Sequence, residues 1–290
     1  MTMKSLERFA EYLRNTGKAD LTIKGYRGDL AIFARWFEQA RGEEFNPQNI
    51  TAMDLRDYRS YLLTVKGDKA STVNRRLVAI SRFMKWARAQ GLTDTTPPER
   101  FLVRQETELA PKWLDRKEQN ALLRAVRKER NKRDIALIEL LLGTGLRLSE
   151  SANLRLDDLD INPRKGWLHV REGKGSRPRD IPLNSRVRKL LDEYLAVREE
   201  TKSEFVFQGQ RGRLTGRGIY KVLQKYGYLA RLDGCTPHTL RHTFGKNLVD
   251  AGISLDRVGH LMGHKSLDTT RIYTLPSKAD LEMDVEMLAV

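Results

Sequence analysis

Apolar side chains recur every three or four positions over most of this 290-residue chain, the spacing that gathers them on one face of a helix. Leu6, Phe9 and Leu13 form a first stripe, and Ile23, Tyr26, Leu30, Phe33 and Phe37 form a second that Gly42 ends. Thr51 and Asp54 make a capping-box pattern ahead of Leu55, Tyr58 and Leu62. A fourth helix is predicted from Ser71 to Gly91, with Val73, Leu77, Ile80 and Met84 facing inward and Arg75, Arg76, Arg82, Lys85 and Arg88 spread over its other faces. Residues 1–95 thus read as a four-helix domain. The stretch TDTTPPERFLVRQETELAPK that follows has a Pro-Pro pair, a further proline and little periodicity, which places a linker at 96–112.

From 113 to about 160 helical spacing resumes. Ile135, Leu137, Ile138, Leu141 and Leu142 make a heavily apolar helix, central to a second core and ended by Gly143-Thr144-Gly145. Between Gly166 and Leu183 the period switches to two. Trp167–Val170 and Asp180–Leu183 read as strands around a turn at Gly173-Lys174-Gly175-Ser176, and Pro178 and Pro182 argue for an edge ribbon. Helices return with Val187, Leu190, Leu191, Tyr194 and Leu195, then, past a basic loop at 208–213, from Gly216 to Leu232. That last helix carries Arg217 and Lys221 four apart, a candidate nucleic-acid contact. The fold expected is mainly α with a small β-ribbon or sheet: a helical domain, then an α+β domain over 113–290.

Charge adds a function class. Lys and Arg number 53 against 38 Asp and Glu, a formal net charge of +15. The surplus is shared, 18 against 12 in the first hundred residues and 35 against 26 in the rest, which suits a polyanion gripped by both domains better than a single basic tail. One by one the arginines of the fourth helix are ordinary solvated charges; together they read as grips on a phosphate backbone. Cys235 is the only cysteine, so no disulfide forms within the chain, a reducing compartment is expected, and Cys235 itself reads as a packing residue. No apolar run approaches the ~18 residues of a membrane span, and MTMKSLERFAEYL reads as an amphipathic helix rather than a signal peptide. A soluble, cytoplasmic, nucleoid-associated protein is expected.

The candidate chemistry lies in TPHTLRHTFGKNLVDAGISLDRVGHLMGHKSLDTTRIY, residues 236–273. Thr236 suits a helix cap and Pro237 its first turn, which sets His238 and Arg241 three apart near an end that favours an anion. A second helix runs from Leu255 to Gly263, a C-cap residue, with His264 in the turn beyond it and Tyr273 on a short segment. Upstream, Arg147 follows Gly145 and stands three before Glu150. The pair is either a surface ion pair or a carboxylate that orients a phosphate-binding guanidinium.

Together with TGLRLSE at 144–150 and GKGSRPR at 173–179, this series resembles the tyrosine recombinase (phage integrase) family, most closely its Xer-type and transposon-encoded members. The resemblance spans about 112–275 by motif and more loosely the helical N-terminal segment, and implies a catalytic set of Arg147, Lys174, His238, Arg241, His264 and Tyr273. For Lys174 the family supplies the role, since a glycine-flanked lysine at a turn tip otherwise reads as a solvated charge. In these roles Arg147 and Arg241 clamp a phosphodiester, supported by Glu150 and with a hydrogen bond from His264. Tyr273 attacks, His238 takes its proton, and Lys174 protonates the leaving 5′-hydroxyl. The 3′-phosphotyrosyl bond then keeps the energy needed for rejoining, so neither ATP nor a metal is required and no cofactor is expected.

The resemblance further implies double-stranded DNA with an inverted-repeat core as partner, a tetramer in the synapse or a paired recombinase, and a C-terminal helix (Leu281, Val285, Leu288) that docks in cis or on a neighbour. Chromosome-dimer or cointegrate resolution and movement of a mobile element both fit. Rivals are a type IB topoisomerase, a regulator that kept the fold without catalysis, and a zinc hydrolase using His238 and His242. The last lacks its glutamate, because Thr239 follows His238. His242 otherwise reads as structural and His260 as a helix-surface residue without a role.

Overall fold

The computed structural model describes residues 2–97, 102–103, 111–171, 178–199, 203–210, 212–264, 266–276, 281–282 and 285–288. The chain is mostly helical with small antiparallel sheets, as its periodicities predict, and separates into two compact units, Met1–Thr107 and Glu108–Val290.

In the first unit the four apolar stripes become α1 (Thr2–Asn15), α2 (Asp20–Arg41), α3 (Ala52–Thr64) and α4 (Ala70–Ala89). Their inward faces meet in one core in which Phe9, Phe33, Phe37, Phe45, Tyr58 and Phe83 are all but sealed from solvent. Phe33 and Phe45 meet edge to face, 5.9 Å between ring centres, the geometry that the ring quadrupole favours. Gly42 ends α2 at φ +69°, where a side chain would be strained. The start of α3 is fixed by its capping box. Asp54 Oδ2 accepts from the Thr51 backbone and hydroxyl at 2.8 and 2.6 Å, while Thr51 Oγ1 accepts from the Asp54 N–H at 3.2 Å. Arg41, at the end of α2, donates to the other Asp54 oxygen at 2.6 Å, so one carboxylate joins two helices. Part of the segment expected as linker belongs to this unit, since the Val103 backbone exchanges two hydrogen bonds, at 2.7 and 2.9 Å, with the Asn74 side chain on α4.

The second unit opens with α5 (Arg116–Lys128), capped by Asp115, and α6 (Lys132–Thr144). Leu137, Ile138, Leu140 and Leu141 of α6 are fully buried, and α6 packs on α5, α8 (Ser185–Leu195) and α10 (Pro237–Asp250). Between α6 and α8 lie the short α7 (Leu148–Ala152) and three strands, β1 (Leu159–Ile161), β2 (Gly166–Val170) and β3 (Arg179–Pro182), in the order β1-β2-β3. Two expectations change here. The helical reading from 113 to 160 fails after Ala152, where a 3₁₀ turn leads into β1; three residues are too few to show a period of two. The hairpin is therefore not a lone ribbon, because β2 is central and Pro182 sits on the edge strand β3, opposite Trp167, where its missing N–H costs nothing. The basic loop likewise contains a minimal hairpin, β4 (Gln208–Gly209) and β5 (Gly212–Arg213). Then come α9 (Gly216–Leu229), α10, α11 (Leu255–Met262), α12 (Asp268–Arg271) and a 3₁₀ turn at Ile272–Thr274. No helix among the described residues is long and apolar enough to cross a membrane.

Hydrogen bonds from Arg41 and Thr51 hold the Asp54 carboxyl below its ordinary value although burial acts the other way. Its contribution to stability is then complete above about pH 4 and lost as pH falls through the depressed value. Asp54→Ala is expected to destabilise the first unit by about 1–2 kcal/mol, read as faster hydrogen exchange at the α3 amides at neutral pH. The difference from the wild type should shrink in acid.

Candidate active site

Two tight helix ends build the site. Gly145 closes α6 at φ +60°, its N–H on the Leu141 carbonyl at 3.0 Å; a Cβ there would run into the Phe244 ring of α10. Only glycine therefore lets α10 approach. Leu146 anchors the next residue in the core, and Arg147 begins α7. Glu150, one turn on, folds its carboxylate back to accept from the Arg147 N–H at 2.8 Å and from Nη1 at 2.9 Å. Arg147 Nη2 donates to the Gly263 carbonyl at 3.0 Å. The guanidinium is thus held on one edge while the side chain keeps about a quarter (27%) of its surface exposed.

The second end is that of α11, closed by Gly263 at φ +65°. Thr236 caps α10 as expected, with Pro237 in the first turn, and Arg241 points inward, 6% exposed. Its Nη1 and Nη2 donate to the carbonyls of Gly145 and Met262, both at 2.6 Å, so one buried cation bridges the C-terminal ends of α6 and α11, where the helix dipole favours positive charge. Burial, reinforced by Arg147, lowers the Arg241 pKa to about 10, and the side chain stays charged at neutral pH. Beyond Gly263, His264 Nδ1 pairs with Thr270 Oγ1 at 2.9 Å. Burial and the charges of Arg241 and Arg147 lower this imidazole to about 4, so it is neutral.

Tyr273 sits on the final 3₁₀ turn with 1% exposure. Its ring lies nearly parallel to that of His264 and against Gly245, where a Cβ would come within 2.6 Å of Cζ. Burial pushes the phenol up to about 12 against the opposing pull of Arg241 and Arg147. The hydroxyl is 3.1 Å from His242 Nδ1. Burial, with His238 and Arg241, lowers His242 to about 4, so the ring that pairs with the phenol is neutral.

The structure thus brings together Arg147, Glu150, Arg241, His264 and Tyr273. His238 is exposed on the first turn of α10, its ring centre 6.5 Å from that of His242; the residue at the phenol is His242, expected to be structural. Lys174 lies outside the described residues, as do the rest of 172–177. A third arginine joins the site, Arg179 of β3, which bonds both oxygens of Glu150. The sequence held its signal, since the alternation that turns Ile181 inward turns Arg179 inward as well. Cys235 is buried and its thiol is pushed up to about 11 by burial and by Glu118, which suits a packing residue. Among the described residues no group of three or more His, Cys, Asp or Glu side chains could hold a metal ion.

The proposed backbone grips fall into two groups. Arg75 is ion-paired with the buried Asp29, and Arg76, 16% exposed, with Asp68 at 2.6 Å, so the Arg76 charge is engaged within its own domain. Arg82 lies over the Tyr26 ring at 5.6 Å, exposed, as are Arg217 and Lys221 on α9.

The chain is similar to known proteins along most of its length. Residues 112–280 match the family described as phage integrase, and residues 6–91 match the phage integrase N-terminal SAM-like domain. Tyrosine recombinase XerC of Oceanobacillus iheyensis is 34% identical over 95% of this chain and 92% of its own length. TnP I resolvase of Bacillus thuringiensis is 27% identical over 99% of this chain and all (100%) of its own. Among solved structures, the XerH site-specific recombinase bound to its difH substrate in a pre-cleavage complex superposes with a TM-score of 0.74 at 26% identity, covering 97% of this chain and 83% of that one. With the family model spanning more than half of its length and whole-chain relatives of this kind, the chain belongs to the phage integrase family and is a tyrosine recombinase of the Xer or transposon kind, a DNA strand-transferring enzyme of site-specific recombination.

Proposed function

We propose that the protein cuts and rejoins duplex DNA through a 3′-phosphotyrosyl intermediate. The observation that carries this reading is the convergence of Arg147, Arg241 and His264 around a tyrosine, each fixed by partners that leave the cluster positively charged. A phosphodiester entering there gains negative charge on its non-bridging oxygens as Tyr273 attacks, and prepositioned cations and donors lower that barrier without rearranging. Arg147, with a quarter of its surface open, and the buried Arg241 form the clamp. His264, its Nδ1 occupied by Thr270, offers Nε2.

The phenol must lose its proton. In the resting geometry its partner is His242, and His238, at the exposed end of the same helix face, is the group from which the proton reaches solvent. Lys174 gives its proton to the leaving 5′-oxygen, which departs as the hydroxyl, in the role that the family resemblance implies. Because the phosphotyrosyl bond conserves the energy of the broken bond, rejoining needs neither ATP nor metal. The partner is duplex DNA with an inverted-repeat core, met by a net charge of +15; the assembly is a synaptic tetramer or a pair with a second recombinase, acting at the nucleoid in the cytoplasm. Relatives of both the Xer and the resolvase kind support dimer or cointegrate resolution alongside movement of a mobile element. Since Tyr273 is 1% exposed at rest, the turn Ile272–Thr274 has to shift before attack.

Incubated with nicked duplexes from the DNA flanking its gene, in EDTA and without ATP, the protein should form a covalent adduct resolved on a denaturing gel. Tyr273→Phe should form none. An adduct that requires a divalent metal, or one that survives in Tyr273→Phe, would overturn this mechanism; specific binding with no adduct on any duplex would favour a non-catalytic regulator.

The two half-buried histidines, His242 and His264, set a pH dependence. Both have folded values of about 4 against an ordinary 6.5, so the unfolded chain binds more protons between those limits and stability falls as pH drops from 6.5 towards 4. Melting temperatures of the protein without DNA should decline over that window. His242→Gln should make the decline shallower than in the wild type.

A further inference from the structure

Arg179 is 1% exposed at its side chain, and all of its nitrogens are engaged. Nη1 and Nη2 donate to Glu150 Oε1 and Oε2 at 3.1 and 2.8 Å, and Nε donates to the Leu261 carbonyl at 2.8 Å. Three of its five N–H donors are used in this way, and its burial leaves it no surface on which to meet a substrate. Glu150 is therefore shared: Arg179 takes both of its oxygens, while Arg147 shares Oε1 through its side chain and Oε2 through its backbone N–H. Arg147 keeps its other nitrogen on the Gly263 carbonyl, and Gly263 lies so close that a Cβ there would come within 2.9 Å of Arg179 Nη1. One buried arginine thus ties β3, α7 and the end of α11 together directly behind the clamp.

We infer that Arg179 is a positioning residue for strand cleavage: by occupying Glu150 it keeps that carboxylate from neutralising Arg147, so that the Arg147 charge faces the scissile phosphate. This rests on the phosphotyrosyl reading above. The charge balance makes the case. Arg147, Glu150 and Arg179 together carry one net positive charge. Without Arg179, Glu150 and Arg147 form a neutral bidentate pair, the geometry that a planar guanidinium and a carboxylate prefer, and Arg147 is drawn off Gly263 and away from the phosphate. The fork of an arginine suits the Arg179 position because it satisfies two carboxylate oxygens and a carbonyl at once; a lysine supplies the charge at a single point.

The test uses the full-length protein and two suicide duplexes that differ only at the scissile position, one an ordinary phosphodiester and the other a neutral methylphosphonate. The pentavalent intermediate on the methylphosphonate carries one negative charge fewer, so its formation depends less on clamp charge. Single-turnover adduct formation by Arg179→Met should fall roughly 100-fold on the phosphodiester and by less than about fivefold on the methylphosphonate. Arg179→Lys should recover part of the phosphodiester rate, and DNA affinity should stay within about twofold of the wild type for both variants, since Arg179 makes no surface contact. Equal losses on the two duplexes, or no loss on either, would overturn the inference, the first because it marks Arg179 as purely structural. Should Arg179→Met fail to fold, the same comparison with Arg179→Lys decides, because that variant keeps the charge and disturbs the fork. A wild-type protein that forms no adduct on either duplex overturns the phosphotyrosyl reading itself, an outcome visible before any variant is made.

Discussion

A guanidinium buried as deeply as that of Arg241 carries a desolvation cost of several kcal/mol, and it survives only where fixed acceptors surround it. Here the acceptors are the carbonyls of Gly145 and Met262, each at the end of a helix whose dipole adds to the attraction. Charge-assisted bonds of this kind contribute about 1.5–3 kcal/mol each, enough to offset much of the burial cost. The consequence is geometric as much as energetic. The ends of α6 and α11 can satisfy the same cation only at one separation, so Arg241 sets where Arg147, which follows Gly145, stands relative to His264, which follows Gly263. The glycines make the arrangement possible, since Gly145 admits the Phe244 ring and Gly263 admits the Arg179 guanidinium.

Around that fixed cation the resting site is chemically quiet. The phenol of Tyr273 is pushed up to about 12 and the imidazole paired with it down to about 4, so the proton stays on oxygen. Both shifts come first from burial, and the positive charges that lower the histidines also lower the tyrosine without overcoming it. A phosphate placed between the two arginines offsets the repulsion felt by the histidines, and opening the turn that carries Tyr273 lifts its desolvation. The same two changes, substrate charge and access of water, move both groups towards proton transfer. On the proposed mechanism the nucleophile is therefore governed by occupancy of the clamp, a property of the whole cluster rather than of any one residue.

Much of this was legible in the chain. Helix stripes, the Thr51 and Thr236 caps, and the glycines at 42, 145 and 263 act through local backbone geometry, and each gives a signal within a few residues. The clustering of Arg147, Arg241, His264 and Tyr273 followed from a family pattern, because the contact between residues about 120 positions apart has no local signature. Two features lay beyond reach for physical reasons, and a third left a signal in the alternation of its strand. Strand β1 is three residues long, too short for its period to emerge. His242 was set aside because helix spacing shows which side chains share a face but not which of them meets a tyrosine returning from another element. Arg179 was passed over among the basic residues of the hairpin although its parity with Ile181 turned it inward; a charged residue at a buried position of a strand is unusual enough to mark a partner, and Glu150 is that partner.

The division of labour between phosphate and base contacts bears on how a tyrosine recombinase XerC and a TnP I resolvase can both resemble this chain in sequence along nearly its full length. On the proposed mechanism the clamp, the tyrosine and the residues behind them address a phosphodiester, which is the same at every step of every duplex, so nothing in their geometry has to change when the target does. Sequence is read instead by side chains that reach base edges in the grooves. Those must be exposed and free of internal partners, which Arg76 with its bond to Asp68 is not; Arg217 and Lys221 of α9 are exposed. Selection for a new site can therefore act on exposed side chains while the network of Arg147, Glu150, Arg179 and Arg241 stays fixed, because each of its members is tied to another of them or to the backbone around it.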